Sequence, residues 1–146
     1  TGRVAVTTHW NQTDWSLDRR TPEGNLVTVA PGETRPTAFR APEHRFNHLN
    51  ASRCGRYFVA DSWPGSLFDE RGRIRHACIV VGNFRSGKYR TLICDSMSSG
   101  GGGQHNHCHP YLTADNEYVI FNANPYYSPT QVFAAEIPRG FLETLD

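Results

Sequence analysis

Hydrophobic residues along this chain come in short bursts broken by turn-forming residues, without helical spacing. Val4 to Thr8, Leu26 to Val29, Tyr57 to Asp61, Ala77 to Val81, Tyr89 to Cys94, Tyr118 to Asn122 and Val132 to Glu136 are rich in β-branched or aromatic residues. Gly, Pro, Asn or Asp bound them. Each is predicted to be a strand. No segment keeps a helical period over eleven residues or more, and only the closing "RGFLETLD" suits one short helical turn. The pattern predicts an all-β protein.

Repetition within the pattern is more telling than the strands themselves. Placing "HLNASRCGRYFVADS", from His48, over "HPYLTADNEYVIFNA", from His109, aligns Ser52 with Thr113, Gly55 with Asn116, Tyr57 with Tyr118 and Val59 with Ile120 at a constant offset of 61 residues. Each copy reads as strand, turn, strand, the layout of the two inner strands of a propeller blade. "HACIVVGN", "KYRTLICD" and "TQVFAAEI" supply outer strands. The expected fold is a set of about three four-stranded antiparallel β-propeller blades. These are a partial blade over about residues 1–44, a second over about 45–99 and a last over about 100–146. Three blades do not close a ring, since propellers remove their edges with four or more. Further blades, from a longer parent or from another chain, are therefore the expected partners. A small β-sandwich or β-roll built from the same strands is the rival architecture.

Composition narrows the function classes. The 146 residues make a single domain the prior, one large enough to bury roughly 70% of the unfolded surface. Fifteen Lys and Arg against fourteen Asp and Glu give no basic footprint, so nucleic acid is not an expected partner. No apolar run is long enough for a membrane helix, and no charged-then-apolar leader opens the chain. Cys54, Cys78, Cys94 and Cys108 are widely spaced, which argues against a zinc ribbon or a disulfide framework and favours a reducing, cytoplasmic setting. Because the chain starts at Thr1 with a strand following almost at once, it reads as a piece of something longer.

Candidate chemistry gathers in "GGGGQHNHCHPYL", from Gly100 to Leu112. The glycine run lacks the phosphate-cradling pattern and reads as a slack connection. If residues 107–109 are extended, His107 and His109 share one face and Cys108 takes the other. The repeat brings His48 from the neighbouring blade, and Gln104 sits three residues before His107. His48, His107 and His109 can then surround one divalent ion, with the Gln104 carbonyl oxygen as fourth ligand. Imidazoles suit zinc or iron, and a carboxamide oxygen makes the site harder and open to manganese. With no anionic ligand, the bound ion keeps its charge and seeks an anionic substrate group. His9, His44 and His76 are expected to be structural or exposed, His105 a solvated loop residue, and Arg45, Arg53, Arg71, Arg73 and Arg75 surface charges. Asp61 and Asp95 are expected to bind backbone amides at turns or strand ends.

"QHNHCHPYLTADNEYVIFNAN" resembles the last blade of the oligogalacturonate lyases, seven-bladed propellers with a Q-x-x-H-x-H-P-[SY]-[FL]-T-x-D-[NG]-x-x-V-x-F pattern there. "FNHLNASRCGRYFVADSW" is similar to the preceding blade. The resemblance covers about Arg45 to Pro138. It implies that His48, Gln104, His107 and His109 hold a manganese-like divalent cation. It also implies metal-assisted β-elimination of short oligogalacturonides to unsaturated uronides, in pectin degradation. The family's catalytic histidine base and arginine lie on earlier blades and have no counterpart assigned here. "WNQTDWSLDRRTPEGN" and the glycine run depart from the pattern. A non-catalytic sugar- or protein-binding propeller, akin to periplasmic translocation propellers, is one alternative. A metal-dependent hydrolase is the other, its ion activating water.

Overall fold

Alternation of side chains along each strand dictates how the sheets stack. The computed structural model describes residues 4–7, 26–35, 37–63, 70–71, 75–98, 106–125 and 128–146. Among these, ten strands form: β1 (Val4–Thr7), β2 (Leu26–Val29), β3 (Thr37–Phe39), β4 (Phe46–Ala51), β5 (Tyr57–Ser62), β6 (Cys78–Asn83), β7 (Tyr89–Ile93), β8 (Tyr111–Leu112), β9 (Tyr118–Ala123) and β10 (Gln131–Glu136). They make three antiparallel sheets in which sequence neighbours lie side by side, β1-β2-β3, β4-β5-β6-β7 and β8-β9-β10. The architecture is all-β, as expected, with three, four and three strands in the sheets among the described residues. β3 was not anticipated, being only three residues long. The closing residues form one 3-10 turn, Leu142–Leu145.

The middle sheet is buried on both faces. Every residue of β5 is buried, and the alternation decides which neighbour each one meets. Tyr57 and Val59, with Ile79 and Val81 of β6, pack against Leu112, Val119, Phe121 and Ala123 of the last sheet and against Ile137, Phe141 and Leu145 beyond it. Phe58, Ala60 and Val80 face the other way, onto Leu26, Phe39, Ala41 and Phe46. Phe58 is the keystone of that second core, edge-on to Phe39 at 4.8 Å and to Phe46 at 5.7 Å. Its ring fits only because residue 82 has no side chain: a Cβ on Gly82 would lie 2.4 Å from the Phe58 ring.

The repeat read from the sequence is present in the backbone. Shifted by 61 residues, the pair Asn50↔Val59 becomes Tyr111↔Ile120, which is the pair observed. The turns correspond as well. Ser52 N donates to Tyr57 O and Thr113 N to Tyr118 O, both at 2.9 Å. Gly55 (φ 69°) and Asn116 (φ 61°) occupy the same left-handed position, which a glycine adopts freely and an asparagine tolerates. The 3-10 turn is tied to the end of the middle sheet, with Asn83 Nδ2 donating to Leu145 O and Tyr57 Oη to Asp146 Oδ1, each at 3.0 Å.

Candidate metal centre

A break in the β4–β5 ladder sets the position of His48. Phe46 pairs with Ser62 and Leu49 with Ala60, so Asn47 and His48 together oppose the single residue Asp61. This extra residue is a β-bulge. Phe46 and Leu49 both belong to the core shared with the first sheet, and the bulge leaves His48 turned toward the last sheet. There its ring lies 3.8 Å from that of His109 and 5.2 Å from that of His107, centroid to centroid.

Asp61 stands on the same side and is fully buried. Its Oδ1 accepts the backbone N–H of His48 at 2.7 Å, and its Oδ2 lies 2.7 Å from His48 Nδ1. A buried carboxylate needs such partners. Donation from Nδ1–H to Asp61 leaves Nε2 of His48 with the lone pair, the arrangement by which carboxylates orient metal-bound histidines. Asp61 binds a backbone amide, as expected. Its grip on the His48 ring was not anticipated. The usable signal was a carboxylate inside the otherwise apolar run "YFVADS", where burial demands a donor.

The expectation that residues 107–109 run as a strand is corrected. Residues 106–110 are irregular, and β8 begins only at Tyr111. His109 has φ 42°, outside strand geometry, and precedes Pro110, which has no N–H to give a ladder. The segment is still pinned to β9, where Asn122 N donates to Cys108 O at 2.8 Å. His107 and His109 nevertheless face His48 together, their rings 6.0 Å apart. Cys108 is fully buried, its Sγ 3.2 Å from Ser96 Oγ. Burial, with a smaller push from the Asp61 charge, raises its thiol to about 12. It stays a neutral core residue between the two histidines.

One potential ligand atom each from His48, His107 and His109 lies within 4.8 Å of the others. The donor set fits a divalent transition metal: three imidazoles, one from β4 and two from the irregular segment before β8, the first held in orientation by a buried carboxylate. Gln104 and His105, like His9, Arg73 and the glycine run, lie outside the described residues. His44 and His76 stand apart from the cluster. His44 Nδ1 is 3.0 Å from Ser62 Oγ with its ring stacked on Phe46, and His76 Nδ1 is 2.7 Å from Asp95 Oδ1. Asp95 Oδ1 also accepts the Met97 amide, at 2.9 Å. Arg53, Arg71 and Arg75 are exposed. Trp63, which the sequence reading passed over, has its ring 5.3 Å from that of His107.

No protein-family model matches the sequence, and neither does any curated protein. Solved structures do match. An oligogalacturonate lyase in complex with manganese aligns with a TM-score of 0.59 and 16% identity, covering 80% of this chain and 29% of that one. An oligogalacturonate lyase from Vibrio parahaemolyticus aligns with a TM-score of 0.55 and 19% identity, covering 80% and 33%. The chain thus spans about a third of the length of either protein. At such identities the likeness is one of fold, and the sheets described above have the architecture of part of an oligogalacturonate lyase β-propeller.

Proposed function

We propose that this chain is the metal-binding part of a lyase that cleaves short oligogalacturonides by β-elimination, yielding unsaturated uronides in cytoplasmic pectin breakdown. The observation that carries this reading is the convergence of His48 on β4 with His107 and His109 from the segment before β8, with Asp61 behind His48. His48, His107, His109 and the Gln104 carbonyl oxygen would hold the ion, with Mn2+ favoured by the mixed nitrogen and oxygen set and Zn2+ or Fe2+ the alternatives. Support for manganese comes from the manganese complex among the structures of like fold.

When bound, the ion supplies a Lewis acid for the uronate carboxylate, which makes the adjacent C5–H more acidic. The chain's own residues orient and enclose. Asp61, itself fully buried, holds the His48 ring. In the elimination a base takes the C5 proton, that electron pair becomes the C4–C5 double bond, and the C4–O bond breaks with its electrons on the leaving sugar. No base is assigned among the described residues. The chain alone is therefore expected to bind the acidic sugar more readily than to turn it over. Further propeller blades, in the same polypeptide or another, would complete the site.

The test is elemental analysis and calorimetric titration of the purified chain with Mn2+ and Zn2+, followed by ultraviolet detection of unsaturated product from oligogalacturonate. One equivalent of metal, held much more weakly by a His48→Ala variant, supports the reading. Hydrolytic, saturated products would favour a metal-dependent hydrolase, and sugar binding that is indifferent to chelators would favour a non-catalytic propeller.

A further inference from the structure

At the end of the middle sheet away from the β4–β5 turn, two thiols stand across neighbouring strands. Carrying the register Ile79↔Ile93 one step outward sets Cys78, which opens β6, opposite Cys94, just past the end of β7. The two chains stay side by side beyond that point, where Ser96 N donates to Ala77 O at 3.0 Å. Residues directly opposed in an antiparallel pair have Cα atoms about 4.5–5.5 Å apart, inside the window of about 4.4–6.8 Å that a disulfide accepts. The Cys78 side chain is already turned toward its neighbour, its thiol donating to Cys94 O at 3.1 Å. Both residues carry free thiols, Cys78 half-buried and Cys94 exposed. The other two cysteines are poorly placed to compete. Cys54 sits in the turn before Tyr57, while Cys78 pairs with Ser62 at the far end of β5, and strand rise puts about 17 Å between Tyr57 and Ser62. Cys108 is fully buried, its thiol pushed up to about 12.

We propose that Cys78 and Cys94 form a thiol–disulfide exchange site that takes a low-molecular-weight disulfide and closes into a reversible cross-strand bond. Cys94 is the point of entry because it is exposed. Burial, and then the Cys94 charge, raises the Cys78 thiol above its ordinary value, which makes it the slower attacker. In the first step the Cys94 thiolate attacks one sulfur of the small disulfide and expels the other as a thiolate, leaving a mixed disulfide. Cys78 then gives its proton to solvent, attacks the Cys94 sulfur and expels the second small thiolate. The two leaving thiolates take up the two protons released, so two protein thiols are oxidised and one small disulfide is reduced to two thiols. Closure anchors to β6 the head of a segment that touches both neighbours of His107: Ser96 Oγ lies 3.2 Å from Cys108 Sγ, and Ser98 Oγ donates to Asn106 O. The site thus stands one short segment from His107, yet it does not depend on the triad taking a metal.

The experiment incubates the folded wild-type chain with oxidised glutathione, alkylates the remaining thiols with N-ethylmaleimide and maps tryptic peptides by mass spectrometry, with thermal melts to verify folding. Arg85, Lys88 and Arg90 lie between the two cysteines, so digestion leaves two peptides that only the disulfide joins. The expected result is a linked Cys78–Cys94 pair, formed with loss of both thiols together and returned to thiols by dithiothreitol. Cys78→Ser is expected to stop at one glutathione held on Cys94. Cys94→Ser is expected to be modified at Cys78 at least about tenfold more slowly, because the half-buried thiol must then make the first attack. Stable glutathione on Cys94 of the wild type with Cys78 still alkylated overturns the proposal. A bond from Cys78 to Cys54 or Cys108 overturns it too, as does a folded protein whose thiols all alkylate unchanged. Should either variant fail to fold, the wild-type map alone decides. A chain that takes up no metal would refute the proposed function and leave this site standing.

Discussion

Replacing Asp61 by asparagine changes the least shape for the most chemistry at this site. The wild-type carboxylate accepts two bonds of 2.7 Å, one from the His48 backbone and one at Nδ1, while fully buried. An asparagine of the same shape offers one acceptor and one donor. If its oxygen keeps the backbone N–H, its NH2 group confronts Nδ1–H, and the imidazole must either turn away or move its proton to Nε2. Both outcomes spoil Nε2 as a ligand. Losing such a supporting carboxylate typically costs 10- to 100-fold in metal affinity, which corresponds to about 1.4–2.8 kcal/mol. Folding stability should fall as well, by about 1.5–3 kcal/mol for a charge-assisted bond broken in the interior. Calorimetric titration with Mn2+ or Zn2+ measures the first quantity and urea unfolding of the metal-free protein the second. The loss must also run through His48, so Asp61→Asn in a His48→Ala background should leave metal affinity where His48→Ala alone put it. Wild-type affinity in a folded Asp61→Asn protein, or additive losses in the double variant, would refute the reasoning.

Three further outcomes are expected from the fold. Gly82→Ala should destabilise by about 1–3 kcal/mol in chemical denaturation, because its Cβ would meet a Phe58 ring that Phe39 and Phe46 hold in place. Asn116→Gly should be neutral or stabilising by up to about 1 kcal/mol in thermal melts: it relieves a side chain held at φ 61° and removes a buried carbonyl oxygen that has no partner among the described residues. Tyr89 is pushed from 10 up to about 12, first by burial and then by its 2.7 Å bond to Glu43. A raised folded-state value means that this contribution is whole below pH 10 and disappears as pH climbs toward 12. Unfolding curves across that window should decline less steeply for Tyr89→Phe.

Much of the architecture was readable in the order of residues. Strand positions follow from short β-branched and aromatic runs between turn formers, because these local preferences need no distant partner. The 61-residue repeat is equally local in origin: the Gly55 and Asn116 turns and the strands around them are alike because alike residues sit at matching places. By the same logic His48 and His109 could be matched before any coordinates. The strand assigned to residues 107–109 failed for an equally local reason, since Pro110 and the left-handed His109 interrupt the ladder there.

Orientation was a different matter. Which side of the sheet His48 faces depends on one inserted residue between Phe46 and Leu49, and alternation alone would send His48 the opposite way from Asn47. The bulge persists because both Phe46 and Leu49 find room in the core against the first sheet, a packing outcome settled between segments far apart in the chain. Asp61 acquires its role from the same event, since a carboxylate on β5 matters only once His48 is brought against it. Sequence by itself determined the elements and their periodic likeness, because both are written in short-range preference. Tertiary structure alone decided which donors meet, because a bulge, a shared core and a buried charge are satisfied jointly or not at all.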